Sequence, residues 1–338
     1  MRSRLRELVV ADLRAGLIGL GVMGRNHARI LSSLPGVQLV GIVDPIEVEG
    51  EPPGQFLRST EDLLDQGVDY CFVAVPTAVH KEVGLLLASS GVHALVEKPL
   101  AADIDSARQL TAAFESAGLI GAVGHIERYN PALQQARKRI AADELGQIYQ
   151  VVTRRQGPFP GRIADVGVVK DLATHDVDLT AWITQQAYSS VAARTAFRTG
   201  RQHEDLVAVV GELTNGVVTS HTVNWLSPFK ERRTIISGER GALVADTLTA
   251  DLTFYANAST KSEWEDMAMF RGVSEGDVVR FAIPKPEPLR MEHEAFRDAV
   301  LGKDADIVTM REGLAAVTVG GAIIQSAVSG QTVNLDWS

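Results

Sequence analysis

A doubly wound parallel α/β domain followed by an α+β domain with a large open, mainly antiparallel sheet is the fold class this sequence predicts. Three observations lead there. Over residues 1–124 short β-rich runs alternate with helical stretches, the pattern of right-handed βαβ crossovers under helical cover. From residue 125 onward strand-like runs follow one another across short turns, which implies antiparallel pairing. At 338 residues the chain suffices for two domains, each large enough to bury its own core.

The elements follow in order. "AGLIGLG" reads as a strand that ends in glycines, and "GVMGRNHARILSSL" as the helix after it. "VQLVGIVD" is a second strand, and "STEDLLDQG" a short helix between a Ser/Thr cap and a terminal glycine. "VDYCFVAVP" is a buried strand, "AVHKEVGLLLASSG" a helix and "VHALVEKP" another strand. "DIDSARQLTAAFESAG" and "LIGAVGH" add one more helix–strand pair and close the first domain at residue 124. The second domain, 125–338, opens with the helix "NPALQQARKRIAA", where Asn130 is the N-cap and Pro131 the first helical residue. Strands then dominate: "QIYQVVTRRQ", "SVAARTAFRT", "EDLVAVVGELTNGVVTSHTVNW" and "RRTIISGERGALVAD". Asn215-Gly216 marks a tight hairpin among them. Helical segments at about 287–301 and 310–329 close the second domain.

Bulk composition narrows the function. Apolar residues make up 45% and charged residues 22%, as in a soluble globular protein. A net charge of −9 argues against a nucleic-acid surface. No apolar run approaches the ~20 residues that span a bilayer, so no membrane partner is expected. Residues 1–14 carry three early arginines but no apolar signal core, and they read as an extension. Cys71 is the only cysteine; with no internal disulfide possible, a cytoplasmic setting is expected. It lies within "YCFVAV" and reads as a small core residue.

Gly19, Gly21 and Gly24 form G-x-G-x-x-G where a strand gives way to a helix. Such glycines allow a tight turn, close approach of a diphosphate and close helix–strand packing, while the helix N-terminus offers its amides to the phosphates. Asp44 follows Gly24 by twenty residues, at the end of the second strand, where a carboxylate binds ribose hydroxyls. A chance glycine turn with a loop aspartate is the bland alternative. Pro45 follows Asp44 and no arginine stands beside it to receive a 2′-phosphate, so NAD is expected rather than NADP.

The motif order resembles the glucose–fructose oxidoreductase / inositol dehydrogenase (Gfo/Idh/MocA) family. The residues that carry the likeness are "GLIGLGVMGRNHARIL" at 16–31, "VAVPTAVH" at 73–80, "EKPL" at 97–100 and "DLATHDVD" at 171–178. "ISGERGALVAD" at 236–246 and the closing helices extend it over nearly the whole chain from about residue 14. The resemblance implies a Rossmann domain and NAD-dependent hydride transfer. It implies Lys98, Asp171 and His175 as catalytic positions. It further implies cofactor contacts from Gly19, Gly21, Val22, Met23, Gly24, Asp44, Pro76, Thr77, His80, Glu97 and Lys98. "GHIERYNPAL" at 124–133 and "RRQGPFPGRIADVGVVKDLATHDVD" at 154–178 resemble a narrower branch, the UDP-N-acetylglucosamine 3-dehydrogenases, which implies a nucleotide sugar. Between Asp44 and "STEDLL" lies only "PIEVEGEPPGQFLR", read as a loop, where the family has a full helix.

The central helix carries the chemistry. Asp171, His175 and Asp178 are spaced by four and then three, on one face of a helix otherwise rich in Val, Leu, Ala and Trp. Oxidising a secondary alcohol requires a hydride acceptor, a held carbinol and a group to take the hydroxyl proton. Free imidazole titrates near ~6.5 and a free lysine ammonium near ~10.4, so His175 is assigned as the acid–base group. Asp171 orients it or binds a neighbouring hydroxyl. Lys98, at the carboxyl edge of the parallel sheet, is assigned to hold the substrate oxygen. Taken alone, the helix also reads as a satisfied core histidine between structural aspartates, and Asp-x₃-His-x₂-Asp as a metal site; no metal is expected.

Arg128, Tyr129, Arg155 and Arg162 are the expected substrate contacts, since guanidinium forks suit diphosphates. Arg154 and Arg155 point to opposite faces of a strand, so one of them at most faces substrate. Rival readings are a free-sugar or inositol dehydrogenase, an NAD-retaining glycoside hydrolase and a non-catalytic dinucleotide sensor. The open sheet predicts a homo-oligomer, a dimer or a tetramer.

Overall fold

The structure, a computed structural model, describes residues 12–46, 54–161, 166–257 and 275–337. The chain divides into two compact units. The first runs to Ala101 and adds Asp105–Gly124 and Leu289–Met310; the second takes Ala102–Ile104, His125–Pro288 and the chain from Arg311.

The first unit is built on six parallel strands: β1 (Leu13–Ile18), β2 (Val37–Val43), β3 (Gln55–Leu57), β4 (Tyr70–Val73), β5 (His93–Glu97) and β6 (Gly121–Gly124). Their order in the sheet is β3-β2-β1-β4-β5-β6, reversing direction between β1 and β4 as in a doubly wound fold. Leu17, Tyr70, Phe72 and Leu95 are buried, as strands covered on both faces require. Helices α1 (Val22–Leu31), α2 (Thr60–Asp65), α3 (His80–Ser89) and α4 (Ile104–Ser116) connect the strands. Ser59 Oγ caps α2 by accepting from the Asp62 N–H at 3.0 Å.

Three details differ from the sequence reading. The stretch read as a loop after Asp44 holds a strand, β3, paired in parallel with β2; residues 47–53 of that stretch lie outside the described residues. Strand β1 begins at Leu13, inside the expected extension, whose residues 1–11 lie outside the described residues. Helix α7 (Pro288–Val300), expected in the second domain, contributes from Leu289 to the first unit. Its Phe296 is fully buried edge-on to Tyr70 and Phe72, with centroids at 5.5 and 5.6 Å. Downstream, Val123 N–H donates to Val308 O at 2.9 Å. The apolar partners of α7 thus sit in the first sheet, which chain order does not disclose.

The second unit pairs helices α5 (Pro131–Ala141), α6 (Thr174–Thr184) and α8 (Met310–Ser329, from Arg311) with a nine-stranded sheet. Its strands are β7 (Ile148–Pro158), β8 (Tyr188–Ala196), β9 (Leu206–Leu213), β10 (Val218–Asn224), β11 (Leu226–Gly238), β12 (Gly241–Asp246), β13 (Asp251–Asn257), β14 (Glu275–Arg280) and β15 (Val333–Asn334). The order is β14-β13-β12-β11-β7-β10-β9-β8-β15, antiparallel except where β7 and β10 run side by side in parallel. Asn130 caps α5 as expected, its Oδ1 accepting from the Ala132 N–H at 3.0 Å, with Pro131 following. Asn215-Gly216 turns the β9–β10 hairpin with Gly216 at φ +83°. Among the described residues, α8 alone is long and apolar enough to cross a membrane, whereas the sequence reading expected no apolar run of that length. Its Val319, Ala322 and Ile323 belong to the core of this unit, beside Trp182, Tyr188 and Trp225.

Candidate active site

The glycine motif forms the turn between β1 and α1. Gly19 takes φ +95°, and a Cβ there would lie 2.5 Å from Ala74 O. A Cβ at Gly24 would lie 2.0 Å from Gly19 O, so only glycine lets α1 approach the strand this closely. Gly21 differs: a Cβ there would meet no atom within 4 Å, because it faces open space at the N-cap of α1. No side chain caps this helix, Val22 is exposed and Met23 half-buried. Unclaimed first-turn amides beside an open glycine fit a diphosphate. Asp44 Oδ2 accepts from the Leu20 N–H at 2.6 Å and Oδ1 from the Ile46 N–H at 2.9 Å. Each oxygen retains a lone pair for a ribose hydroxyl. Pro76 is exposed and Thr77 half-buried, where β4 delivers the chain to the same carboxyl edge.

Lys98 follows β5 directly and precedes a cis peptide to Pro99. Glu97 and His80, expected at the cofactor, instead turn inward. Glu97 Oε2 accepts from the Lys98 N–H at 3.1 Å, and Oε1 lies 2.9 Å from His27 Nε2. The His80 ring nitrogens lie 3.0 Å from Pro99 O and 3.0 Å from Val75 O. Burial pushes the His80 imidazole below its ordinary range, while the two carbonyls pull the other way. Such buried polar groups require partners, and here backbone supplies them.

In the second unit the "DLATHD" segment is not one regular helix. Val169–Ala173 forms a π-helical turn that leads into α6, a local irregularity common at functional sites. Val168 N–H donates to Glu204 O and Val169 N–H to Glu204 Oε1, both at 3.0 Å, which pins the start of the turn. Asp171 lies in the π turn, His175 in the first turn of α6, and they are 6% and 7% exposed. His125 meets the His175 ring edge-on at 6.0 Å. Asp178 is gripped by Arg128 at 2.8 and 2.5 Å and also lies 3.8 Å from His125 Nδ1. That removes it from the metal reading. No cluster of three or more His, Cys, Asp or Glu among the described residues is arranged to hold a metal ion.

Two of the arginines expected at the substrate, Arg128 and Arg155, are bound to carboxylates. Arg128 is 4% exposed and also donates to Glu312 Oε1 at 2.6 Å. Arg155, 4% exposed, donates from Nε to both Asp176 oxygens at 3.1 Å and from Nη1 to Glu127 Oε1 at 2.8 Å. Burial opposes the charge on each guanidinium, but the paired carboxylates outweigh it and hold both firmly cationic. Their forks are committed to carboxylates inside the unit. Tyr129 is likewise buried, Arg154 is exposed on the opposite face of β7, and Arg162 lies outside the described residues. The sequence reading missed Glu127 and Asp176 as partners, although a charge among apolar residues signals that one is needed. It also missed a buried triad in which His221 sits 2.8 Å from both Thr153 Oγ1 and Tyr188 Oη.

Comparison with known proteins gives matches in both units. Residues 13–125 match the family model described as "Oxidoreductase family, NAD-binding Rossmann fold", and residues 133–244 match "GFO/IDH/MocA C-terminal domain". The chain is 26% identical over 343 residues to scyllo-inositol 2-dehydrogenase (NAD(+)) of Bacillus subtilis, covering 96% of this chain and 97% of that enzyme. It is 34% identical over 177 residues to UDP-N-acetylglucosamine 3-dehydrogenase of Acidithiobacillus ferrooxidans, covering 51% of this chain and 54% of that enzyme. A solved structure of the latter superposes with a TM-score of 0.81 at 26% identity, over 95% of this chain and 99% of that one. GenD2 from gentamicin A biosynthesis, solved in complex with NAD, gives 0.80 at 26% identity, covering 97% of both chains.

Proposed function

This chain belongs to the GFO/IDH/MocA oxidoreductase family, and on that premise we propose that it is an NAD-dependent dehydrogenase of a nucleotide sugar. The coarser part is plain: it is an NAD-binding oxidoreductase acting on CH–OH groups. The observation that carries the cofactor reading is the open face of Gly21 at the uncapped N-terminus of α1, with Asp44 alongside. Bound there, NAD supplies the hydride acceptor. We assign Lys98 to bind the reacting oxygen and to stabilise negative charge as the hydroxyl loses its proton. We assign His175 to take that proton in oxidation and return it in reduction, with Asp171 orienting it or holding a neighbouring hydroxyl.

The nucleotide-sugar assignment is supported by the likeness to UDP-N-acetylglucosamine 3-dehydrogenase, and not by Arg128 or Arg155, whose forks are occupied. A second reading, oxidation of a cyclitol, is favoured by the scyllo-inositol 2-dehydrogenase match over 96% of the chain. A panel of UDP-sugars, free sugars and inositols with NAD or NADP, followed by absorbance of the reduced cofactor, separates the two. Turnover of UDP-N-acetylglucosamine with NAD is expected; turnover of inositols alone would replace the first reading by the second, and none on any compound would remove both. We further propose a homo-oligomer through the nine-stranded sheet, which carries exposed Tyr149, Val210, Val218 and Tyr255. A monomer in light scattering would refute it.

A further inference from the structure

We propose that His27 is a positioning residue for Lys98: through the Glu97 carboxylate, it locks the backbone of the turn that carries the lysine. The inference rests on the catalytic assignment of Lys98 made above. It starts from a buried chain of hydrogen bonds within the first unit. Glu97 uses one oxygen on the Lys98 N–H at 3.1 Å and offers the other to His27 Nε2 at 2.9 Å. His27 Nδ1 in turn lies 2.8 Å from His293 Nε2, and the His293 ring is stacked on Phe72 at 3.9 Å and 11°. Both imidazoles are fully buried. The lysine turn is therefore tied through two rings to the aromatic core of the sheet.

The directions of these bonds follow from charge. Burial works against the Glu97 carboxylate, but the His27 bond and the neighbouring Lys98 charge outweigh it and hold the carboxyl below its usual range. Ionised, Glu97 only accepts, so His27 Nε2 donates to it and Lys98 N–H donates to the other oxygen. Burial pushes the His293 imidazole well below its ordinary value, so it is neutral near neutral pH, and a single proton between the two rings closes their bond. Burial and the charge of Glu97 push the carboxyl of Glu292, next to His293, well above its ordinary range.

Space for this arrangement is made by the neighbouring strand. A Cβ at Gly124 on β6 would fall 3.2 Å from the Glu97 carboxyl carbon and 3.3 Å from Oε1. On the far side of Lys98, Pro99 O faces His80 Nδ1 at 3.0 Å. The lysine turn thus has an imidazole on each flank, His27 from the helix of the glycine motif and His80 from the segment after β4. His27 lies one turn beyond Gly24 on α1, so the element that offers its N-terminus to a diphosphate also braces the lysine turn.

The test compares His27→Leu, His27→Gln and Lys98→Met. A glutamine can still donate to Glu97; a leucine cannot. Amide hydrogen exchange at Lys98, measured on the NAD-free full chain, is expected to speed up at least about tenfold in His27→Leu and to stay near wild type in His27→Gln. In turnover assays His27→Leu is expected to lose about 10²-fold in kcat with KM and NAD Kd little changed, and His27→Gln to recover most of it. Unchanged exchange in His27→Leu, or equal loss in the leucine and glutamine variants, overturns the proposal. It is also overturned if Lys98→Met abolishes turnover while His27→Leu, with raised exchange, keeps it. Retained turnover in Lys98→Met instead removes the catalytic reading of Lys98 and leaves the clamp to be judged by exchange. Should His27→Leu not fold, His27→Asn, too short to reach Glu97, serves in the same comparison.

Discussion

Arg128 holds Asp178 through two parallel hydrogen bonds, Nε to Oδ2 at 2.8 Å and Nη2 to Oδ1 at 2.5 Å. The two residues stand fifty positions apart, and both are buried. This fork accounts for the third polar position of the central helix as structure, while His125, 3.8 Å from Asp178 Oδ2 and edge-on to His175, stands between the two.

Breaking one side of that pair should be costly. Arg128→Met leaves the Asp178 carboxylate buried without its fork, and a loss of about 3–5 kcal/mol is expected in urea unfolding. Replacing both, Arg128→Met with Asp178→Leu, should recover most of it. Equal losses in the single and double variants would contradict the account.

The roles of the second and third glycines of the motif can be separated. Gly21→Ala places a methyl in open space at φ −66°, so thermal stability without NAD should not change, while NAD affinity should fall by about tenfold or more. Gly24→Ala drives its methyl onto Gly19 O and should lower the melting temperature itself. Wild-type NAD affinity in Gly21→Ala would place the dinucleotide elsewhere.

Lys98→Ala and His175→Ala should each reduce turnover by about 10²–10⁴-fold, with NAD binding retained. Calorimetric titration of NAD beside steady-state rates makes the comparison. Near wild-type rates in both variants would refute the proposed roles.

The buried His221 predicts acid sensitivity. Burial lowers its pKa from 6.5 to about 4. The unfolded chain therefore binds a proton that the folded chain refuses, and folding stability rises with pH across this interval. The contribution is fully present above about pH 6.5 and falls away on acidification, reaching a loss of about 3 kcal/mol near pH 4. The pH dependence of urea unfolding should flatten over that interval in His221→Gln; an unaltered slope would assign the effect to other groups.

Much of the fold is legible because its signals are local. The alternation of strand and helix runs, the Asn130-Pro131 cap and the Asn215-Gly216 hairpin depend on neighbours within a few residues, and the structure has all of them. The glycine motif is readable for the same reason, since tight turns restrict residue type directly. Asp171 and His175 are conspicuous because polar residues on an apolar helix require an explanation. The π turn beneath Asp171 leaves no comparable mark, since its altered spacing arises where Glu204, over thirty positions later, captures the amides of Val168 and Val169.

By itself, then, the sequence determined the two fold classes and the glycine-rich turn, and it singled out Lys98, Asp171 and His175, the residues proposed above for hydride transfer from an alcohol. Tertiary structure alone decided which charges are spent on one another. Arg128 goes to Asp178 and Glu312, Arg155 to Asp176 and Glu127, and Glu97 to His27. It also decided that Phe296 of α7 packs on Tyr70 and Phe72, and that β7 lies parallel to β10. The physical reason is common to all of these. A buried charge or ring must find its partner in space, and the partner that burial selects can come from anywhere along the chain.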